Sequence, residues 1–259
     1  MKEFIFFIFM LTACQTMNIH HSTLKDKNFQ VDITQYESIS KCQKQRSIII
    51  MPPTGGTNLI DKSYAKIFAK NCFNAYIINS WTLKEFDIND MKMHDYFYRT
   101  GLKSIQMLVD HIGEESINLL GTSVGALHTA IAVGKISQIK RAFTIVGGGD
   151  ITKIVVQSSQ KAMMKLKKER YKKYQFKNDQ EYINKLSGFI PYKPLELNIQ
   201  NKKLGMVISI NDPVVPNSLQ VELADYWQPE TLIKSKSGHK ATVLKTWIFH
   251  SKKILNFFL

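Results

Sequence analysis

Leu119-Leu120-Gly121-Thr122-Ser123-Val124-Gly125-Ala126-Leu127-His128-Thr129-Ala130 sets one serine between two glycines, where an apolar run gives way to small residues. Upstream, Ile117-Asn118-Leu119-Leu120 has the short, nearly continuous apolar character of a strand buried on both faces. Downstream, Val124 to Val133 predicts a helix. A serine in the turn between such elements is held in a strained conformation with its hydroxyl exposed above the sheet. Glycines on either side let adjacent backbone pass without a Cβ clash.

The same alternation recurs outward from this turn. Ser47 to Met51 is an apolar run stopped by Pro52-Pro53-Thr54-Gly55-Gly56; Lys62 to Asn71 is helix-like, Ala75 to Ile78 strand-like, and Tyr96 to Ile112 amphipathic. After the serine, Ala142 to Val146 ends in Gly147-Gly148-Gly149-Asp150, and Leu204 to Ile210 ends in Asn211-Asp212-Pro213. Thr231 to Lys234 is the last strand-like run, followed by Ser237-Gly238-His239-Lys240 and a closing helix. Alternating strands and helices joined by right-handed crossovers predict an α/β protein with a mostly parallel, doubly wound sheet. At 259 residues, 44% hydrophobic and 22% charged, the chain suits one well-cored domain and excludes a disordered one.

A G-x-S-x-G that follows a strand and opens a helix resembles the nucleophile elbow of the α/β-hydrolase superfamily. The resemblance runs from about Ser47 to the C-terminus and implies an α/β-hydrolase fold with a triad in the order serine, acid, histidine. Ser123 matches the nucleophile. Asp212 matches the acid, because a late strand in the superfamily commonly ends in an Asp followed by a Val-Pro turn. Asp150 is the competing acid, since some branches place theirs at the end of the preceding strand. Of the seven histidines, His239 alone lies in a glycine-bearing loop after both the serine and an acid. A serine hydroxyl needs an adjacent base, and the imidazole needs a carboxylate to fix its tautomer. The superfamily's oxyanion donors correspond here to the N–H of Val124 and one from Thr54 or Gly55; Pro52-Pro53 replaces the usual His-Gly, and proline carries no N–H. This chemistry needs no metal or organic cofactor, and the chain has no H-E-x-x-H, C-x-x-C or phosphate-loop signature.

Between about 151 and 203 the alternation breaks, where the superfamily commonly inserts a helical lid. Lys161 to Lys177 holds eight basic residues against Glu169, half of the chain's net +14. Such a segment is either a solvated helix face or a surface for anionic lipid headgroups. A basic balance by itself speaks of surfaces, and no nucleic-acid motif accompanies it, so nucleic acid is not an expected partner.

The N-terminus carries a separate signal. Phe4 to Leu11 is apolar but far shorter than the roughly 20 residues of a spanning helix, and it reads as the core of a signal peptide over residues 1–13. Leu11-Thr12-Ala13-Cys14 resembles the lipobox of bacterial lipoproteins, which implies cleavage before Cys14 and a lipid anchor on its sulfur. Gln15 stands where an Asp would resemble an inner-membrane retention signal, which favours the outer membrane, facing the periplasm, in a cell that has one. Residues 14–45 then read as a tether with an opening strand or two, and 46–259 as the hydrolase domain. Cys42 and Cys72 are either a disulfide permitted by an oxidising envelope or two buried thiols. The expected activity is esterase- or lipase-like hydrolysis of a small-molecule or lipid ester. Thioesterase, peptidase or acyltransferase chemistry would use the same triad, and a non-catalytic module binding an envelope partner or lipid is the alternative.

Overall fold

The computed structural model describes residues 17–39, 42 and 45–259. The expected signal peptide and Cys14 lie outside the described residues. Two antiparallel strands open the described chain, β1 (Met17–Asp26) and β2 (Phe29–Ser38), turning at Lys27-Asn28 with Lys27 at φ 44°. The sheet therefore begins within residues 14–45, the stretch expected to hold an opening strand or two beside a tether. β1 is an exposed edge strand, so no buried face imposes an apolar pattern on it.

The other strands are β3 (Arg46–Met51), β4 (Phe73–Trp81), β5 (Ile117–Thr122), β6 (Ile139–Ile145), β7 (Lys203–Ser209) and β8 (Thr231–Ser235). They form one eight-stranded sheet in the order β1-β2-β4-β3-β5-β6-β7-β8, parallel from β4 to β8. Helices α1 (Leu59–Ala69) and α8 (His239–Phe258) cover one face, while α2 (Lys92–Ile112), α3 (Val124–Lys135) and α7 (Asn217–Trp227) cover the other. Successive β3 residues alternate between the two layers: Ile48 and Ile50 join Tyr64, Phe68 and Phe258, while Ile49 and Met51 join Leu108, Ala130 and Leu223. Burial on both sides is why these strands read as unbroken apolar runs. α1 starts earlier than its apolar period suggests because Asn58 and Asp61 cap it reciprocally, each side chain accepting from the other's backbone N–H.

Between β6 and β7 the chain forms α4 (Ile151–Gln157), α5 (Lys161–Tyr174), α6 (Asp179–Ser187) and a 3-10 turn at Pro194–Glu196. This insertion sits where the lid is expected. Its Ile154, Tyr182 and Leu186 pack with Tyr98 of α2 and Leu127 of α3, so the insertion has an apolar core continuous with the helices beside the elbow. Cys42 and Cys72 are joined, with their Cα atoms 5.8 Å apart, tying the segment before β3 to the start of β4.

Candidate active site

Ser123 follows β5 directly and caps α3 with φ 55° and ψ −117°, a region that L-residues rarely occupy. Such a conformation costs on the order of 1–3 kcal/mol and persists only where the surroundings enforce it. Three contacts do so here. The Ser123 N–H donates to Ile145 O at 2.9 Å on the neighbouring strand. A Cβ on Gly121 would stand 2.2 Å from Thr129 Oγ1 and 2.3 Å from Gly125 O, and a Cβ on Gly125 would stand 2.0 Å from Met51 O. The first turn of α3 is thus pressed against the ends of both β5 and β3. The two glycines are the only residues that permit this approach, and the serine between them is the side chain that projects.

His239 begins α8 immediately after Gly238. Its Nε2 is 2.9 Å from Ser123 Oγ and its Nδ1 is 2.7 Å from Asp212 Oδ2. With the Nδ1 proton donated to the carboxylate, Nε2 is left to accept from the serine hydroxyl. Asp212 lies in the turn after β7, and its Oδ1 accepts the N–H groups of Val214 at 2.8 Å and Val215 at 3.0 Å. The Asp212 side chain is fully buried and that of His239 is 11% exposed, so the pair is shielded while the serine end remains open to solvent.

One residue of this arrangement escaped the sequence reading. Gln220 is fully buried on α7 and donates through Nε2 to Asp212 Oδ2 at 3.1 Å and to Val215 O at 2.7 Å, while its Oε1 accepts from Ser209 N at 2.9 Å. It lies on the apolar stripe of α7 with Leu219, Leu223 and Trp227. A polar residue on a buried stripe was the available signal.

Asp150 is occupied elsewhere. It caps α4, accepting from Lys153 N at 3.1 Å and Thr152 Oγ1 at 2.5 Å, and it pairs with Lys153 Nζ at 3.2 Å. Burial pushes its carboxyl upward, but the bonds from Thr152 and Lys153 outweigh burial and hold it below the usual carboxylate range. Of the two candidate acids, the structure places Asp212 against His239.

Val124 is the first residue of α3, so its N–H has no acceptor within the helix and is available beside the serine. In the loop after β3, the Gly56 N–H closes a turn on Pro53 O at 3.2 Å, with Gly55 at φ 99° and Gly56 at φ 83°. Thr54 and Gly55 are exposed at its tip, and neither donates to another backbone carbonyl among the described residues. The N–H groups of Val124, Thr54 and Gly55 thus all lack a backbone acceptor among the described residues.

His94 and His128 are buried away from this chain of bonds. The His128 ring is boxed by Trp81, Phe97 and Tyr98, with centroids 5.6, 4.9 and 5.3 Å away, and its Nδ1 meets Val124 O at 3.1 Å. Burial pushes its pKa down to about 4. It fills the space between α3, α2 and the end of β4. A cavity of about 260 Å³ lies within the connection between β6 and β7, lined by Asp150, Ile151, Ile183, Ile190, Tyr192 and Leu195 among others, but by none of Ser123, Asp212 or His239.

No protein-family model matches the chain, and no curated protein matches it in sequence. Solved structures resemble it. An acylaminoacyl peptidase of Pyrococcus horikoshii aligns over 95% of this chain with a TM-score of 0.67 at 14% identity; the chain spans 42% of that protein. Est1E from Butyrivibrio proteoclasticus aligns over 92% of this chain and 97% of its own, with a TM-score of 0.67 at 12% identity. The Pyrococcus furiosus esterase Pf2001 aligns over 94% and 92%, with a TM-score of 0.62 at 13% identity. The chain has the α/β-hydrolase fold.

Proposed function

We propose that the protein is a serine hydrolase that cleaves carboxylic esters. The observation that carries this reading is the unbroken chain from Ser123 Oγ through His239 to Asp212, at 2.9 and 2.7 Å, with the serine held at positive φ. A scaffold used only for binding has no need of a strained serine aligned with a buried His-Asp pair.

In this reading Ser123 Oγ attacks the ester carbonyl carbon as its proton passes to His239 Nε2. The oxyanion is received by the Val124 N–H and by Thr54 or Gly55, each such donor contributing on the order of 10²–10³ in rate. The tetrahedral adduct collapses, the carbon–oxygen bond to the alcohol breaks, and the alcohol leaves with the proton from His239. Water then attacks the acyl-serine with His239 as base, which releases the acid and restores the hydroxyl. Asp212 holds the imidazole in the required tautomer and stabilises the imidazolium. Esterases among the proteins of similar fold support an ester substrate.

The envelope is the proposed location, with Cys14 carrying the lipid anchor. Its support is the lipobox-like stretch and the Cys42–Cys72 disulfide, which suits an oxidising compartment.

The test is labelling with a fluorophosphonate probe, wild type against Ser123→Ala. Labelling lost in the variant supports an activated serine, and hydrolysis across a panel of esters of increasing acyl length then defines the substrate. A folded wild type that neither labels nor hydrolyses any ester, with detergent present to loosen the lid, overturns the reading. Cys14→Ala releasing the protein from the membrane fraction supports the anchor; undiminished membrane association overturns it.

A further inference from the structure

We infer that the outward face of α5 is a docking surface for an anionic lipid bilayer. Lys161, Lys165, Lys168 and Lys172 recur at i, i+4, i+7 and i+11, which places all four within one narrow arc of a helix turning about 100° per residue. All four are exposed. The tertiary structure decides that this arc points away from the protein. Arg170, on the opposite side of α5, is fully buried, and its guanidinium donates to Ile88 O at 2.8 Å and Tyr182 Oη at 3.1 Å and lies 2.9 Å from His94 Nε2. That anchor fixes the rotation of the helix.

The remaining basic residues of α5 are otherwise engaged. Lys167 pairs with Asp179 and Lys173 with Asp87, so their charge is locally balanced. The four lysines of the arc have no acidic partner within ion-pair distance among the described residues. Glu169, the one acid on α5, flanks the row and pairs with none of them. The face is therefore a row of uncompensated cations, which complements a surface of closely spaced anions.

An apolar side chain accompanies the row and favours a bilayer among anionic surfaces. Met164 lies between Lys161 and Lys168 on the helix surface and is 48% exposed. A bilayer accepts both components, with phosphates meeting the lysines and the acyl boundary receiving Met164. A nucleic-acid backbone would satisfy the lysines and leave Met164 in water. Each lysine near an anionic bilayer strengthens partitioning about five-fold. The inference does not depend on the proposed chemistry at Ser123.

The experiment uses the full-length chain with Cys14→Ala throughout, so that no lipidation contributes, and follows sedimentation with phosphatidylcholine vesicles with and without phosphatidylglycerol. The expected result is binding that needs phosphatidylglycerol, weakens with salt, and falls about 10²–10³-fold in the combined variant Lys161→Gln, Lys165→Gln, Lys168→Gln, Lys172→Gln. A control with equal loss of charge elsewhere, Lys62→Gln, Lys66→Gln, Lys252→Gln, Lys253→Gln, should retain most of the binding. Far-UV circular dichroism establishes that both variants are folded. Undiminished binding of the α5 variant, equal losses in both variants, or tight binding to duplex DNA with none to vesicles would each overturn the assignment.

Discussion

Gln220 Nε2 donates to Asp212 Oδ2 at 3.1 Å, the same oxygen that lies 2.7 Å from His239 Nδ1. The amide also ties Val215 O to Ser209 N, so one side chain links the end of β7, the acid turn and the carboxylate. Rotation of Asp212 away from His239 requires breaking that link. Gln220→Met, which keeps length but removes the donors, should lower kcat on the order of 10–10²-fold through misplacement of the acid, with KM little changed. Steady-state kinetics on a chromogenic ester measures the split; a rise in KM with kcat intact would show that Gln220 acts on substrate binding instead.

The two acids at neighbouring strand ends should separate under the same assay. Asp212→Asn removes the acceptor that sets the His239 tautomer and should lower kcat by about 10⁴. Asp150→Asn preserves a good helix cap and removes only the Lys153 ion pair, so activity should stay near wild type, with stability within about 1 kcal/mol. The reverse pattern would move the acid to Asp150.

The Cys42–Cys72 bridge closes a loop with a sequence separation of 30. Chain entropy alone makes such a crosslink worth about 3–4 kcal/mol. Cys42→Ser should therefore unfold at markedly lower urea, and reductant should lower the transition of the wild type without moving that of the variant. Coincident urea curves for the two would remove the bridge from the stability of the fold.

Burial makes the fold sensitive to acid through two histidines and opposes this through one aspartate. His128 is pushed down to about 4, and His94, by burial and then by Arg170, to about 3. The unfolded chain binds these two protons below about pH 6.5 while the folded chain does not, so stability is full above that pH and falls as pH drops. Asp61 runs the other way. Burial raises it to about 6, so the folded state holds a proton that the unfolded state releases, and this group favours the fold as pH drops from about 6 toward 4. Urea titrations across this window should show His128→Gln flattening the loss by about 1.4 kcal/mol per pH unit, and Asp61→Asn steepening it by a similar amount. Parallel slopes in all three proteins would exclude these groups as the source.

Some features were legible because their causes are local. Gly121 and Gly125 flank Ser123 because a Cβ at either would collide with backbone or with Thr129, and a requirement of that kind is written in the residue type. The continuous apolar runs of β3 and β5 follow from burial on both faces, which fixes the class of sheet before any coordinates exist. β1 was not legible in this way, because an exposed edge strand carries no apolar pattern to read. The helix starts at Leu59 and Lys92 also preceded their apolar periods: the first is set by the reciprocal Asn58–Asp61 cap, and the first turn of α2 buries the polar His94, which an apolar pattern does not register.

The sequence by itself determined the strand-to-helix turn that displays Ser123, the parallel layering around it, and the chain order in which an acid and His239 follow. These rest on steric and periodic constraints spanning a few residues. Only the tertiary structure decided that Asp212 and not Asp150 meets the imidazole, that Gln220 is folded against that acid, that Cys42 reaches Cys72, and which lysines of α5 face outward. Each of these depends on how elements distant in the chain are rotated and packed against one another. Side-chain direction at a contact is set by that packing, and no local pattern encodes it.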